Sequence, residues 1–339
     1  LINMSELNKI ALKILSNGKG ILAADESNGT MTKRLESINV LSSPENRLLF
    51  RETLFSSSGM KDYIGGVILY DETINQASNL KQTIPELISK SGAVPGIKVD
   101  TGAKILAGSH EEKITEGLDG LRERLQDYYK LGARFTKWRG VFNISDKYPS
   151  KLSMHSNAHA LARYSALVQE CGMVPIVEPE VLMDGDHSAE TCFNKTSEVI
   201  KKCFEELMIN KIDLSGIILK PNMILAGTTA DKKISSEEVA KLTLKCLKEN
   251  VPTDVPGIAF LSGGQTEVEA TENLNLINKY NDTNFIMTYS YGRVLQQSAL
   301  KFWSKDINNT SGTQKVFNHR ANMCTLAAQG KWSKELEAE

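Results

Sequence analysis

The sequence predicts an α/β fold: a closed parallel (β/α)8 barrel with a helix before it and a helical segment and tail behind it. Three observations carry that prediction. Eight short β-branched, apolar runs recur along the 339 residues, and each is followed by a stretch with a helical pattern. Several runs are apolar at consecutive positions, as strands covered on both faces are. Strands alternating with helices imply a parallel sheet with right-handed crossovers, and eight such units favour a closed barrel over an open doubly wound sheet.

Taken in order, the chain up to about Lys19 reads as the preceding helix. The runs follow as GILAAD (20–25), GGVILYD (65–71), VPGIKVD (94–100), ARFTKW (133–138), VPIVEPEV (174–181), SGIILK (215–220), GIAFLSGG (257–264) and FIMTYS (285–290). Between them the helices carry start signals. Ser43 and Pro44 open SPENRLLFRETLF, Ser235 with Glu238 forms a capping box, and Thr266 with Glu269 forms another. From Lys301 the polar stretch SKDINNTSGTQKV leads to a last helical segment, FNHRANMCTLAAQ, and then to GKWSKELEAE, expected to be mobile. With no Pro/Ser-rich hinge, residues 1–339 are expected to form one domain, with the barrel at about 20–303 and the C-terminal segment and tail at about 304–339.

Composition narrows the function. The 40 basic and 41 acidic residues leave a net charge of -1. That gives no electrostatic case for nucleic acid or an anionic membrane, and Lys201–Lys202 and Lys232–Lys233 read as solvated helix faces. Five scattered cysteines without a C-x-x-C pair indicate neither a disulfide frame nor a thiolate zinc site. The start, LINMSELNKIALKIL, lacks a leader pattern, and residues 1–3 ahead of Met4 read as additional to the natural chain. A cytoplasmic, soluble protein without membrane insertion is expected.

In this architecture the active site lies at the carboxyl ends of the strands. The runs end in Asp25; Lys98 and Asp100; Lys137 and Arg139; Glu178 and Glu180; and Lys220. Paired residues two apart can project to the same side of a strand. Charged side chains aimed into a barrel mouth are costly unless they compensate one another or do chemistry. Mutual neutralisation of Glu178 and Glu180 with Lys137 and Arg139 is one reading, and it is compatible with a chemical one.

Three lysines compete as nucleophile. Asp100 would hold Lys98 protonated, and Arg139 beside Lys137 suggests a cationic or anion-binding role. Lys220, in SGIILKPNMILAG, has no charged residue nearer in sequence than Asp213 and Asp231. A strand-end lysine ordinarily lays its stem on apolar surface and sends its ammonium to water. Desolvated beside a cation such as Lys137, however, it becomes an amine able to form a Schiff base, with Glu178, Glu180 and Asp25 for acid–base help.

LSGGQ and SYGR follow the seventh and eighth strands. Ser262, Gly263, Ser290, Gly292 and Arg293 bring backbone N–H groups, hydroxyls and a forked cation to a phosphate, a recurrent use of these loops. Thr30, Lys33 and Arg34, in DESNGTMTKRL, can meet a second anion or simply begin a solvated helix. Two such regions flanking a Schiff-base lysine suggest a small sugar bisphosphate. His155 and His159 lack a third ligand, MDGDH (183–187) reads as a turn, and no Walker or G-x-G-x-x-G sequence occurs. No metal and no cofactor are expected.

Together GILAADES, GIKVDTG, FTKWRGVF, PIVEPEVLMDGDH, ILKPNMILAG, FLSGGQ and SYGRVLQQSALKFW closely resemble class I fructose-bisphosphate aldolase, the metal-independent glycolytic enzyme, from about residue 20 to 303. The resemblance implies a TIM barrel, a homotetramer, and reversible cleavage of fructose 1,6-bisphosphate to dihydroxyacetone phosphate and glyceraldehyde 3-phosphate. By motif position it implies Lys220 as the imine-forming residue, Asp25 as acceptor of the C4 hydroxyl proton, and Glu178 as acid–base in imine formation and hydrolysis. Lys137 and Glu180 would orient and tune these groups, with Arg139 on the substrate side. Ser262, Gly263, Gly292 and Arg293 correspond to the ketose-phosphate site, and Lys98, Lys33, Arg34 and the SNGT loop to further phosphate contacts.

Two departures stand out. Thr30 replaces the serine of many relatives, and the sequence ends at Glu339 where the family's chain continues to a tyrosine that assists proton exchange on the enamine. If the natural chain runs on past Glu339, imine formation is expected to survive in this sequence while turnover falls; if it ends there, the last proton transfer needs another route. The alternatives are another imine-forming sugar-phosphate aldolase or a transaldolase, and a scaffold binding acidic cytoskeletal or adhesin peptides in addition to catalysis.

Overall fold

The computed structural model describes residues 4–79 and 81–339; residues 1–3 and Leu80 lie outside the description. Ten strands occur in it: β1 Gly20–Ala24, β2 Ile64–Leu69, β3 Val94–Lys98, β4 Ala103–Leu106, β5 Ser109–Thr115, β6 Phe135–Phe142, β7 Val174–Val181, β8 Ile218–Leu219, β9 Gly257–Phe260 and β10 Ile286–Tyr291. Eight of them close a barrel in the order β1, β10, β9, β8, β7, β6, β3, β2, and every pairing in it is parallel. The predicted (β/α)8 barrel is the observed architecture. β4 and β5 were not anticipated: they form an antiparallel hairpin in the connection after β3. Their charged outer face hides the signal, since buried Glu112 serves as an acceptor for Ser109 and Ser150 rather than as a core residue.

Several boundaries differ from the sequence reading. The fourth barrel strand runs on to Phe142, so Arg139 lies within it. The sixth is two residues long, because residues 215–216 belong to the turn Leu214–Gly216, whose Ser215 N–H is capped by the Asp213 side chain. Ser43, Ser235 and Thr266 cap their helices as expected, the last two as full capping boxes. Lys232 and Lys233 stand in the loop before helix Ser236–Asn250, not on a helix face, and the Lys233 ammonium bonds the Gly227 carbonyl.

Helix Met4–Leu15 closes the end of the barrel where the strands begin. Its Leu7, Ala11, Ile14 and Leu15 are buried in one cluster with Ile21, Ile68, Phe135, Ile176 and Ile218 from the barrel interior. At Gly65 the backbone comes so near that a Cβ would lie 1.9 Å from the Ile14 carbonyl oxygen. Inside, the Phe135 ring occupies the space that a side chain at Gly96 would need. The interior is therefore filled and plugged from below, and only the carboxyl ends of the strands remain for polar side chains.

Two C-terminal expectations are corrected. The last helix begins at Thr310, because Asn309 accepts a hydrogen bond from Gly312 N and tolerates the polar first turns. The segment expected to be mobile is anchored: Trp332 is buried, its backbone N–H donates to Asn275, and Arg320 grips Glu337 with two bonds of 2.8 and 2.9 Å. Bulk and charge pairing across 17 residues were invisible to local composition.

Candidate active site

The barrel register brings the strand-end charges together. β6 pairs β7 with Arg139 opposite Glu178, β3 pairs β6 with Lys98 opposite Lys137, and β7 pairs β8 with Val177 opposite Leu219. One residue further on, the Lys220 N–H donates to the Val177 carbonyl at 2.8 Å. Lys220 thus stands level with Glu178, a neighbour that its own sequence surroundings did not offer.

Four of these groups are almost sealed from water: Lys220 is 4% exposed, Glu178 3%, Lys137 7% and Asp25 8%. Glu178 lies between the two lysines, its Oε1 3.5 Å from Lys220 Nζ and its Oε2 3.4 Å from Lys137 Nζ. Lys137 Nζ reaches across to Asp25 Oδ2 at 2.8 Å. Burial lowers the Lys220 pKa; Glu178 opposes the shift, and the Lys137 charge adds to it. Burial also works against the Asp25 charge, but Lys137 and Lys220 outweigh it and hold that carboxyl at about 2. Burial penalises the Lys137 ammonium too, yet Asp25 and Glu178 raise its pKa. The result is one lysine favoured as its cation, one carboxyl favoured as its carboxylate and one lysine moved toward its neutral amine.

The remaining strand-end residues divide around this centre. Lys98 lies 3.7 Å from Asp100, whose oxygens also accept from Gly102 N and Arg139 N. The Arg139 guanidinium is half-exposed and bonded to Glu180. Neutralisation between the β6 cations and the β7 carboxylates is therefore real for both glutamates. Asn222 fixes the chain just after Lys220, accepting from Val181 N at 3.0 Å and donating to Thr196.

The glycine loops lie at the same mouth. A Cβ at Gly263 would stand 3.1 Å from Glu180 Oε1, and one at Gly292 3.0 Å from the Ala23 carbonyl oxygen. Ser262 is buried, and Ser290 Oγ is buried without a partner among the described residues. Arg293 begins helix Arg293–Trp303 and bonds the Gln265 carbonyl and Gln297. Thr30, Lys33 and Arg34 all lie on helix Asn28–Glu36, capped by Ser27; Thr30 and Lys33 are exposed, whereas Arg34 is tied to Glu26 at 3.0 Å.

Sequence reasoning missed Glu26, Arg51 and Gln296. Arg51 is fully buried, bonding the Glu26 carbonyl at 2.8 Å, its carboxylate at 3.3 Å and Thr73 at 2.9 Å. A signal existed: Arg51 precedes Leu54 and Phe55 by three and four positions, on the face that those core residues define.

His155 and His159 lie four apart on helix Lys151–Glu170, each about 3.5 Å from Glu206. No group of three or more metal-ligating side chains suited to an ion occurs among the described residues. No helix among them is long and apolar enough to cross a membrane.

The comparisons agree with one another. The family model described as fructose-bisphosphate aldolase class-I matches residues 6–339. A probable fructose-bisphosphate aldolase class 1 of Xylella fastidiosa is 46% identical over 332 residues, covering 98% of this chain and 99% of the relative. The cytosolic fructose-bisphosphate aldolase 4 of Arabidopsis thaliana is 46% identical over 97% of this chain and 84% of the relative. The solved structure of Plasmodium falciparum fructose-bisphosphate aldolase, in complex with TRAP and a small-molecule inhibitor, superposes with a TM-score of 0.96 at 43% identity, covering 97% of this chain and 96% of that one. With a buried lysine set among carboxylates at the open end of a (β/α)8 barrel, and matched by that family model and these relatives over nearly its whole length, the chain belongs to the class I fructose-bisphosphate aldolase family.

Proposed function

We propose that Lys220 is the nucleophile through which this aldolase cleaves fructose 1,6-bisphosphate to dihydroxyacetone phosphate and glyceraldehyde 3-phosphate. The observation that carries the assignment is the contrast among the three lysines: burial lowers the pKa of Lys220, Asp25 and Glu178 outweigh burial and hold Lys137 charged, and Lys98 is paired with Asp100. Family membership implies a Schiff-base, metal-independent mechanism.

The Lys220 amine attacks the C2 ketone, and Glu178, 3.5 Å away, supplies the proton that lets the carbinolamine lose water. Asp25, ionised beside Lys137, accepts the C4 hydroxyl proton. The C3–C4 electron pair then moves into the protonated imine, leaving an enamine on Lys220 and releasing the aldehyde. Protonation at C3 and hydrolysis of the imine return the amine and release dihydroxyacetone phosphate. Lys137 and Glu180 tune and orient these groups, and Arg139 faces substrate. Ser262, Gly263, Ser290, Gly292 and Arg293 hold the ketose phosphate; Lys98, Thr30, Lys33 and Arg34 receive the other end. One domain, a homotetrameric assembly and a cytoplasmic location complete the reading; the family model over residues 6–339 supports the single domain, and a cytosolic relative supports the location.

The test is borohydride trapping. Protein is incubated with dihydroxyacetone phosphate or fructose 1,6-bisphosphate in EDTA, reduced, digested and mapped by mass spectrometry. A sugar-phosphate adduct on Lys220 is expected. An adduct on Lys98 or Lys137 would keep the reaction class and overturn the assignment.

A further inference from the structure

Glu26 joins the two phosphate-compatible regions. Its Oε1 accepts from Arg34 Nη1 at 3.0 Å and from Gln296 Nε2 at 2.7 Å, and its Oε2 lies 3.3 Å from Arg51 Nη2. Gln296 also donates to the carbonyls of Ala23, in β1, and of Gly292, in the phosphate loop that lies against it. Arg34, Gln296 and Arg293 line one cleft of about 140 Å³ with Met31 and Phe50. The partners of Glu26 are not equivalent. The Arg51 side chain is 0% exposed and bonded on two further sides, whereas that of Arg34 is 30% exposed at the cleft.

From this asymmetry we infer that Glu26 sets selectivity between bisphosphate and monophosphate ketoses by competing with the distal phosphate for Arg34. This rests on the assignment of Arg34 to that phosphate. Arg51 and Gln296 remain on Glu26 when Arg34 turns to a ligand, so its release leaves no unpaired buried carboxylate, the circumstance that would make it prohibitively costly. Removing the Glu26 charge loosens its hold on Arg34, which is then free for the distal phosphate, and so favours the substrate that carries one. Glu26 is a positioning residue: it acts through Arg34.

The test compares Glu26→Gln with the unsubstituted protein on fructose 1,6-bisphosphate and fructose 1-phosphate. Glutamine retains one acceptor oxygen for Arg51 and removes the charge. The ratio of kcat/KM for bisphosphate over monophosphate is expected to rise about threefold to tenfold, chiefly through KM, the scale of a partly exposed charge pair. In the Arg34→Gln background the same change should leave the ratio where Arg34→Gln alone puts it. An unchanged ratio, or a bisphosphate-selective rise in KM, would overturn the proposal. If Glu26→Gln does not fold, Glu26→Asp, which shortens the reach to Arg34, must raise the ratio or the proposal fails. Borohydride trapping on Lys220 in each variant reports separately on the imine assignment.

Discussion

Lys137 Nζ lies 2.8 Å from Asp25 Oδ2, an ion pair closed across the barrel mouth between residues 112 apart in sequence. It keeps Asp25 ionised and places a fixed positive charge beside Lys220, whose pKa it helps to lower. One contact thus acts on both the proposed base and the proposed nucleophile.

Replacement Lys137→Met should therefore shift two titrations in the same direction. Asp25 loses its main counter-charge and its pKa rises from about 2; Lys220 loses a neighbouring cation and its pKa rises as well. The pH profile of kcat/KM should move to higher pH on its acid side, with kcat down about 100-fold or more. A profile unchanged in position would show that the pair does not set these protonation states.

Glu178→Gln separates imine chemistry from binding. The Lys220 pKa should fall further, because the carboxylate that supports its ammonium is gone. In the proposed mechanism carbinolamine dehydration loses its proton donor, so pre-steady-state accumulation of the borohydride-trappable adduct should slow about 100-fold or more. Quenched-flow trapping measures it, with KM changing little.

The C-terminal segment should release in acid. Burial opposes the Glu337 charge, but Arg320 outweighs it, so the carboxyl pKa is lowered below its unfolded value. A depressed carboxyl contributes stability that is present above the unfolded pKa and is lost as pH falls through the folded one. Hydrogen exchange at residues 332–338 should accelerate below about pH 4, and Arg320→Ala should produce the same acceleration at neutral pH.

Gly65→Ala tests the plug at the closed end. The added methyl meets the Ile14 carbonyl oxygen 1.9 Å away, with backbone on both sides of the clash. Helix Met4–Leu15 must shift, and a loss of about 1 to 3 kcal/mol is expected. The midpoint of urea unfolding reads it, while the pKa-dependent features of the distant mouth should persist.

The C-terminal anchoring shows where sequence reasoning stops. The segment KWSKELEAE is short, polar and rich in charge, which describes a solvated tail until Arg320 is placed beside Glu337 and Asn275 beside Trp332. The same holds for Glu26 and Arg51. Arg51 sits in an amphipathic helix, and only its approach to the loop after β1 turns a core-facing arginine into the partner of a carboxylate. The β4–β5 hairpin escaped notice because its alternation is carried by polar residues, with Glu112 rather than an aliphatic side chain turned inward.

By itself, the sequence determined what local physical chemistry controls: eight strands at their places, the helix caps at Ser43, Ser235 and Thr266, and a polar residue at the carboxyl end of most strands. Its motifs also identified the family. Tertiary structure decided which charges meet. Electrostatic coupling falls with distance and strengthens as water is excluded, and both are set by barrel register and burial rather than by spacing along the chain. Lys220 had no charged neighbour in sequence; the register of β7 and β8 gave it Glu178, and closure of the barrel set Lys137 and Asp25 near it.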